Sequence, residues 1–185
     1  QMKNISISAL LIFLLSQTAF ADNIDLLRQN IVQFLTASNI SAPGPILSSA
    51  LTETRDSAQK HANSCQSNGS WSDINYTSAA FVTWDLAKHY QRLYTMTLAW
   101  SSPGQSLYHD ATLLTKITNA FDYMHTYIYS GCSIPNWWWY GIGLPMFVAP
   151  SLILMEEHLN TATFDSARSA QVYLMSKAPS VRNAA

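Results

Sequence analysis

A chain of 185 residues with a formal net charge of −1 carries no basic field that would draw a nucleic acid. Charged residues are 11% of it, against roughly 25% in an average domain, which suits a surface that meets neutral or hydroxyl-rich ligands or one buried in a larger assembly. The cysteines and histidines show no zinc-site spacing, and nothing else in the chain calls for a metal or other cofactor.

Met2-Lys3, the apolar stretch Ile5 to Leu15 and Ser16-Gln17-Thr18-Ala19-Phe20-Ala21 form a charged n-region, a short h-region and an A-x-A site. Residues 1–21 therefore read as a secretory signal peptide cut after Ala21. The apolar core is shorter than the roughly 20 residues that span a bilayer. No later segment is long and apolar enough to do so, so no membrane partner is expected after cleavage. Residues 22–185 are expected to be exported, extracellular or periplasmic, and suffice for one core. Export permits a disulfide between Cys65 and Cys132, although their spacing does not establish one.

The remaining pattern is helical. Asp22 or Asn23 caps a first helix whose inner face is expected to carry Ile24, Leu27, Ile31, Phe34 and Leu35. Ser41-Ala42-Pro43-Gly44 ends it, and Pro45 opens a second helix to about Ala62, where a missing N–H costs little. Asn63 to Tyr76 is a polar loop. A third helix runs from about Ser78 to Trp100, with Leu86, His89, Tyr90, Leu93 and Met96-Thr97 inward. Ser101 to Gly104 stops it. Asp110 caps a fourth helix through Leu113, Ile117, Phe121, Met124 and Ile128, and Gly131 ends it. A fifth spans about Met146 to Leu159, with Pro150 in its first turns or kinking it. A sixth spans about Thr163 to Ser176, and the tail from Lys177 frays. This rhythm gives an all-α fold of stacked helical hairpins, either an α/α toroid or a plain bundle.

Within that frame one run stands out: Asn136-Trp137-Trp138-Trp139-Tyr140, between Pro135 and the breakers Gly141, Gly143 and Pro145. It does not alternate as a half-buried strand would. Three successive Trp do not suit a core helix, because Trp is rarely buried completely. A loop presenting flat indole faces fits better, with sugar C–H groups lying on the rings and the Asn amide bonding a hydroxyl or carboxylate. A hydrophobic plug between helices fits the run equally well. Elsewhere the chemistry is sparse. His61, His89, His109, His125 and His158 make no i, i+4 clamp. Glu156-Glu157-His158 reads as a solvated face, Asp122 and His125 as a structural pair. His89 and Arg92 are i, i+3 neighbours that could share a cleft, but His89 lies among apolar positions and suits a core histidine. There is no nucleophile elbow, phosphate loop or carboxylate pair, so no catalytic residue is assigned.

Four segments in register, from about residue 69 to 160, resemble the family 8 polysaccharide lyases. Asn136 to Pro145 is similar to their Asn-Trp-Trp-x-aromatic-x-Ile-Gly-x-Pro signature. Gly69-Ser70-Trp71-Ser72-Asp73-Ile74-Asn75-Tyr76 resembles their Gly-x-Trp-x-Asp-Ile-x-Tyr loop. His89-Tyr90-Gln91-Arg92-Leu93 resembles their His-x-x-Arg-Leu helix, and Leu98 to Tyr108 the turn after it. The resemblance implies an incomplete α/α toroid followed by β-sheet domains, and β-elimination at a uronic acid. It makes Asn136, Trp137 and Trp138 the substrate-contact candidates, with an acidic polysaccharide as partner. Trp71, Asp73, His89 and Arg92 match family positions that read as structural. Position 141, usually acidic or polar in the family, is Gly. The family's catalytic Asn lies near residue 185 and its catalytic His, Tyr and Arg further on. Val181-Arg182-Asn183-Ala184 does not match, so catalysis is not carried to Asn183. The expectation is that residues 22–185 are the N-terminal portion of the toroid domain, with the C-terminal part of the same enzyme as a missing partner. A free-standing carbohydrate-binding helical module without catalysis, or an inactive remnant, is the alternative.

Overall fold

The computed structural model describes residues 23–77, 85–129 and 138–176. These form helices α1 (23–36), α2 (Pro45–Ser64), α3 (Asp85–Ser101), α4 (Ala111–Tyr129), α5 (Pro145–Met155) and α6 (Thr161–Ser176), with a π-helical turn at Trp139–Gly143. No strand occurs among the described residues. α3 packs against α2, α4 and α5, α4 packs against α6, and α5 packs against α6. The α3/α4 hairpin and the α5/α6 hairpin therefore stack side by side, α3 on α5 and α4 on α6. This is the hairpin stacking of an α/α toroid.

Local chemistry fixes the boundaries. Pro45 holds the first position of α2 after Gly44, where its fixed φ suits the helix and its absent N–H is not missed. Asp110 caps α4: its Oδ1 accepts from the Leu113 N–H at 2.7 Å. Asp110→Ala should lower stability by about 1 kcal/mol, measurable as a shift in the thermal midpoint, and an unchanged midpoint would remove the cap from the account. Asn160 does the same for α6, accepting from the Thr163 N–H at 2.9 Å. The cap explains why α6 begins at Thr161 rather than the expected Thr163, while α5 stops at Met155 rather than Leu159.

The core is built on the expected face of α3: Leu86, His89, Tyr90, Leu93, Met96 and Thr97 are all buried. Where α3 meets α5, Thr97 and Ser151 bury their hydroxyls. Ser151 Oγ donates to Phe147 O at 2.7 Å and lies 3.3 Å from Thr97 Oγ1. Back-bonding of this kind lets small polar residues sit inside a helix contact with their groups satisfied. α1 departs from expectation. Ile24, Leu27 and Phe34 are exposed, Phe34 at 84%, while Val32, Leu35 and Thr36 turn inward. Its apolar stripe is wider than the face its described neighbours cover, so periodicity named the stripe but not the packed edge.

The Asn63 to Tyr76 segment also departs from a polar loop. Trp71 is 1% exposed and Ile74 is buried. Lys116 Nζ donates to Cys65 O at 3.1 Å and Asn119 Nδ2 to Ser67 O at 3.0 Å, so α4 holds the loop by its backbone. Gly69, at φ +86, lies against the α4 backbone: a Cβ there would stand 2.0 Å from Asn119 O. Cys65 is buried, and Cys132, its candidate disulfide partner, lies outside the described residues.

Candidate functional site

Of the three substrate-contact candidates, Asn136 and Trp137 lie outside the described residues and Trp138 within them. The sequence suggests a loop here, but the described part is helical. Trp138 already has right-handed helical dihedrals, φ −60 and ψ −38, and Trp139–Gly143 form the π-helical turn. The turn closes through Leu144 N–H to Trp139 O at 2.9 Å. Its i to i+5 bond widens the helix by a residue, a feature often found at functional sites. Gly141, Gly143 and Pro145 read as breakers, yet the turn accommodates both glycines and Pro145 opens α5 at its first position.

The turn gives the two described indoles different surroundings. Trp139 is partly buried and packs on the core. Trp138 is 40% exposed. Their rings meet edge to face, 4.9 Å between centroids and 81° between planes. That arrangement is the one the aromatic quadrupole favours. Gly143 makes room for it: a Cβ there would lie 2.4 Å from Trp139 Cε3 and 2.7 Å from Trp138 Cζ3. Sequence reasoning missed this role. Its signal was spacing, since residues four apart, as Trp139 and Gly143 are, lie on one helix face.

The other motif residues come together as a buried relay rather than a cleft. Trp71 Nε1 donates to His61 O at 3.0 Å, anchoring the loop to α2. The Trp71 N–H donates to Tyr76 OH at 3.1 Å. Tyr76 OH lies 2.9 Å from His89 Nδ1, and His89 Nε2 lies 3.0 Å from Ala120 O. A carbonyl only accepts, so Nε2 carries the imidazole proton, Nδ1 is bare, and the Tyr76 hydroxyl donates to it. The ring is fully buried, and burial pushes His89 down to about 3, with the Ala120 carbonyl pulling the other way. Burial likewise raises the Tyr76 hydroxyl above its ordinary value. Neither group can exchange a proton with a substrate near neutral pH.

Arg92 closes the motif from outside. It binds Asp73 through two hydrogen bonds, 2.7 and 2.6 Å, and its guanidinium lies 5.5 Å from the Trp71 ring centroid. The paired guanidinium holds the Asp73 carboxyl down at about 2. The forked pair and the cation–π contact fix the loop by geometry. His89 and Arg92 thus share a structural unit, as the core-histidine reading expects.

Two other histidines are placed elsewhere. His109 stacks between Trp100, 4.4 Å away, and Tyr108, 4.0 Å away, and His158 meets Trp100 edge to face at 4.7 Å. Glu156 and Glu157 both pair with Arg28 of α1, so that face is bridged rather than merely solvated. Asp122 Oδ1 accepts from Thr163 Oγ1 at 2.8 Å and so joins α4 to α6.

Comparison with known proteins places this architecture. Residues 33–181 match the family described as polysaccharide lyase family 8, N terminal alpha-helical domain. Xanthan lyase of Bacillus sp. (strain GL1) is 28% identical over 155 residues, covering 77% of this chain and 16% of its own length. Chondroitinase-AC of Pedobacter heparinus is 32% identical over 98 residues, covering 53% of this chain and 14% of its own. Among solved structures, Paenibacillus xanthan lyase superposes over 87% of this chain and 16% of its own, with a TM-score of 0.73 and 26% identity. Streptomyces coelicolor A3 chondroitin AC lyase in complex with chondroitin sulphate superposes over 83% of this chain and 21% of its own, with a TM-score of 0.71 and 23% identity.

Proposed function

The chain belongs to polysaccharide lyase family 8, and from that we propose that residues 22–185 are the N-terminal portion of the toroid domain of an exported lyase. The parent enzyme eliminates across a uronic-acid glycoside. A base removes the C5 proton, the C4–O bond breaks with its electron pair passing to the departing oxygen, which takes up a proton and leaves as a hydroxyl, and a C4=C5 double bond remains on the new non-reducing end. In this reading the described chain supplies substrate contact, and catalysis belongs to the longer protein. Residues 1–21 are the export signal, and the partner is an acidic polysaccharide of the glycosaminoglycan or xanthan kind.

The observation that carries the reading is Trp138, an exposed indole set across a second indole that is packed on the core. A half-exposed Trp offers one flat apolar face, and a sugar ring placed on it buries axial C–H groups while its hydroxyls stay in water. Asn136 and Trp137 are the other substrate-contact residues of this proposal. The low charge of the chain limits repulsion of a polyanion without itself providing its counter-charge.

Trp138→Ala should weaken binding of chondroitin sulphate or xanthan oligosaccharides by about tenfold, as expected for loss of an aromatic anchor. Isothermal titration on the folded chain reads it directly. Unchanged affinity for every oligosaccharide bound by the wild type would remove Trp138 from the patch. The purified 185-residue chain should meanwhile release no unsaturated uronate. Ultraviolet absorbance growing with time would show that these residues catalyse on their own.

A further inference from the structure

We infer that Gly143 is a positioning residue for the substrate-contact indole: through the π-helical turn it leaves the space in which Trp138 stands across Trp139. The inference rests on the proposal that Trp138 touches the polysaccharide, and extends it to a residue that touches none.

The geometry decides which ring depends on Gly143. A Cβ at 143 would intrude on both indoles, at 2.4 Å from Trp139 Cε3 and 2.7 Å from Trp138 Cζ3. One ring must move. Trp139 is packed against the core, and its carbonyl closes the turn with the Leu144 N–H at 2.9 Å. Leu144 is itself fully buried, at 0% exposure. Trp138 is 40% exposed, so it has solvent to move into. Trp139 can yield only by a small shift within the core, the larger displacement falls on Trp138, and the edge-to-face pair at 4.9 Å and 81° is lost. The backbone at 143 needs no left-handed conformation, so the requirement for glycine here comes from the rings alone.

The π-helical turn is the second part of the device. An ordinary helical turn would close on the Trp139 carbonyl one residue earlier, from Gly143 N–H. The i to i+5 bond instead runs past Gly143 to Leu144. The extra residue leaves Gly143 on the turn, beside the rings, while Pro145 begins the next helix at its first position.

The test is a double-mutant cycle on the full chain, with chondroitin sulphate and xanthan oligosaccharides as probes and affinity read by titration. The far-ultraviolet exciton couplet of the indole pair supplies an independent signature. Gly143→Ala should weaken binding by about as much as Trp138→Ala, roughly tenfold, and abolish the couplet while the helical spectrum stays. Added to Trp138→Ala, it should cost nothing more. If Trp138→Ala weakens binding and Gly143→Ala does not, the positioning role is overturned and the contact role stands. If Trp138→Ala itself changes nothing, the contact role fails and the positioning role goes with it. Should Gly143→Ala lower the unfolding midpoint too far to titrate, Trp139→Leu replaces it. That variant removes the ring Trp138 leans on and keeps Gly143. Weaker binding supports the inference, and unchanged binding overturns it.

Discussion

Gly69→Ala is expected to destabilise the chain by about 4 kcal/mol, the upper end of what one methyl group does. Two effects coincide there. The residue holds φ +86, and its missing Cβ would stand 2.0 Å from the Asn119 carbonyl oxygen and 2.2 Å from its carbon. The obstacle is helix backbone, which cannot rotate away as a side chain can. Gly104 supplies the control. It holds φ +78 with nothing within 4 Å of its Cβ position. Gly104→Ala should therefore show the left-handed strain alone, about 1 kcal/mol. Urea unfolding of both variants, read from the midpoint with unchanged slope, separates strain from collision. Equal losses at the two positions would show that the loop moves off α4 without cost.

His89→Leu should cost about 3 kcal/mol near neutral pH, because it leaves the Tyr76 hydroxyl without its acceptor and the Ala120 carbonyl without its side-chain donor in a buried site. The same substitution should change the response to acid. An unfolded imidazole takes up its proton near pH 6.5, and the folded one only at about 3. Between those values the unfolded state holds the extra proton, so stability is full above pH 6.5 and falls as the pH drops towards 3. The slope reaches about 1.4 kcal/mol per pH unit for one group. His61, lowered mainly by burial, acts in the same direction. The share owed to His89 is the difference in slope between wild type and variant. Asp73 acts later: the contribution of its paired carboxylate is full above the ordinary value of 3.8, falls as the pH drops below it, and is spent below about 2. Unfolding at pH 7 and pH 5 is enough to decide. Parallel losses in wild type and His89→Leu would mean that the buried ring is not held neutral.

The helices and most of their ends were legible in the sequence because their causes are local. Asp110 before an apolar period, Pro45 after Gly44, and the inward spacing on α3 each state their structure within a few residues. What was hidden depends on distant partners. Trp71 sits in a segment of polar composition and is buried because α2 supplies a carbonyl and Arg92 a cation from elsewhere in the chain. The first helix has an apolar stripe, but only its neighbours determine that Val32 and Leu35 pack while Phe34 does not. At the aromatic run the local signals were present and pointed the wrong way. Two glycines and a proline read as a loop, while the packing of two indoles uses Gly143 and the turn uses Pro145 as the start of α5. The motif as a whole marked the region, and the packing of the two indoles set its geometry.

The loop latched to α4 has a consequence for how the chain is assembled. Its anchors, Lys116 to Cys65 and Asn119 to Ser67, join residues 51 and 52 positions apart, and Arg28 reaches Glu157 across 129. A nascent chain that has just released residues 65–77 has the α2 carbonyl of His61 for Trp71 but nothing yet for Gly69 to settle on. The indole gains its His89 and Arg92 partners with α3, and the backbone of the loop waits for its latches until α4 follows. Closing such distant pairs costs entropy before any contact repays it, and slows folding relative to a bundle of neighbouring helices. On the export route proposed above, late closure works in the chain's favour, since it stays unfolded long enough to be passed across a membrane and its parts lock together only afterwards.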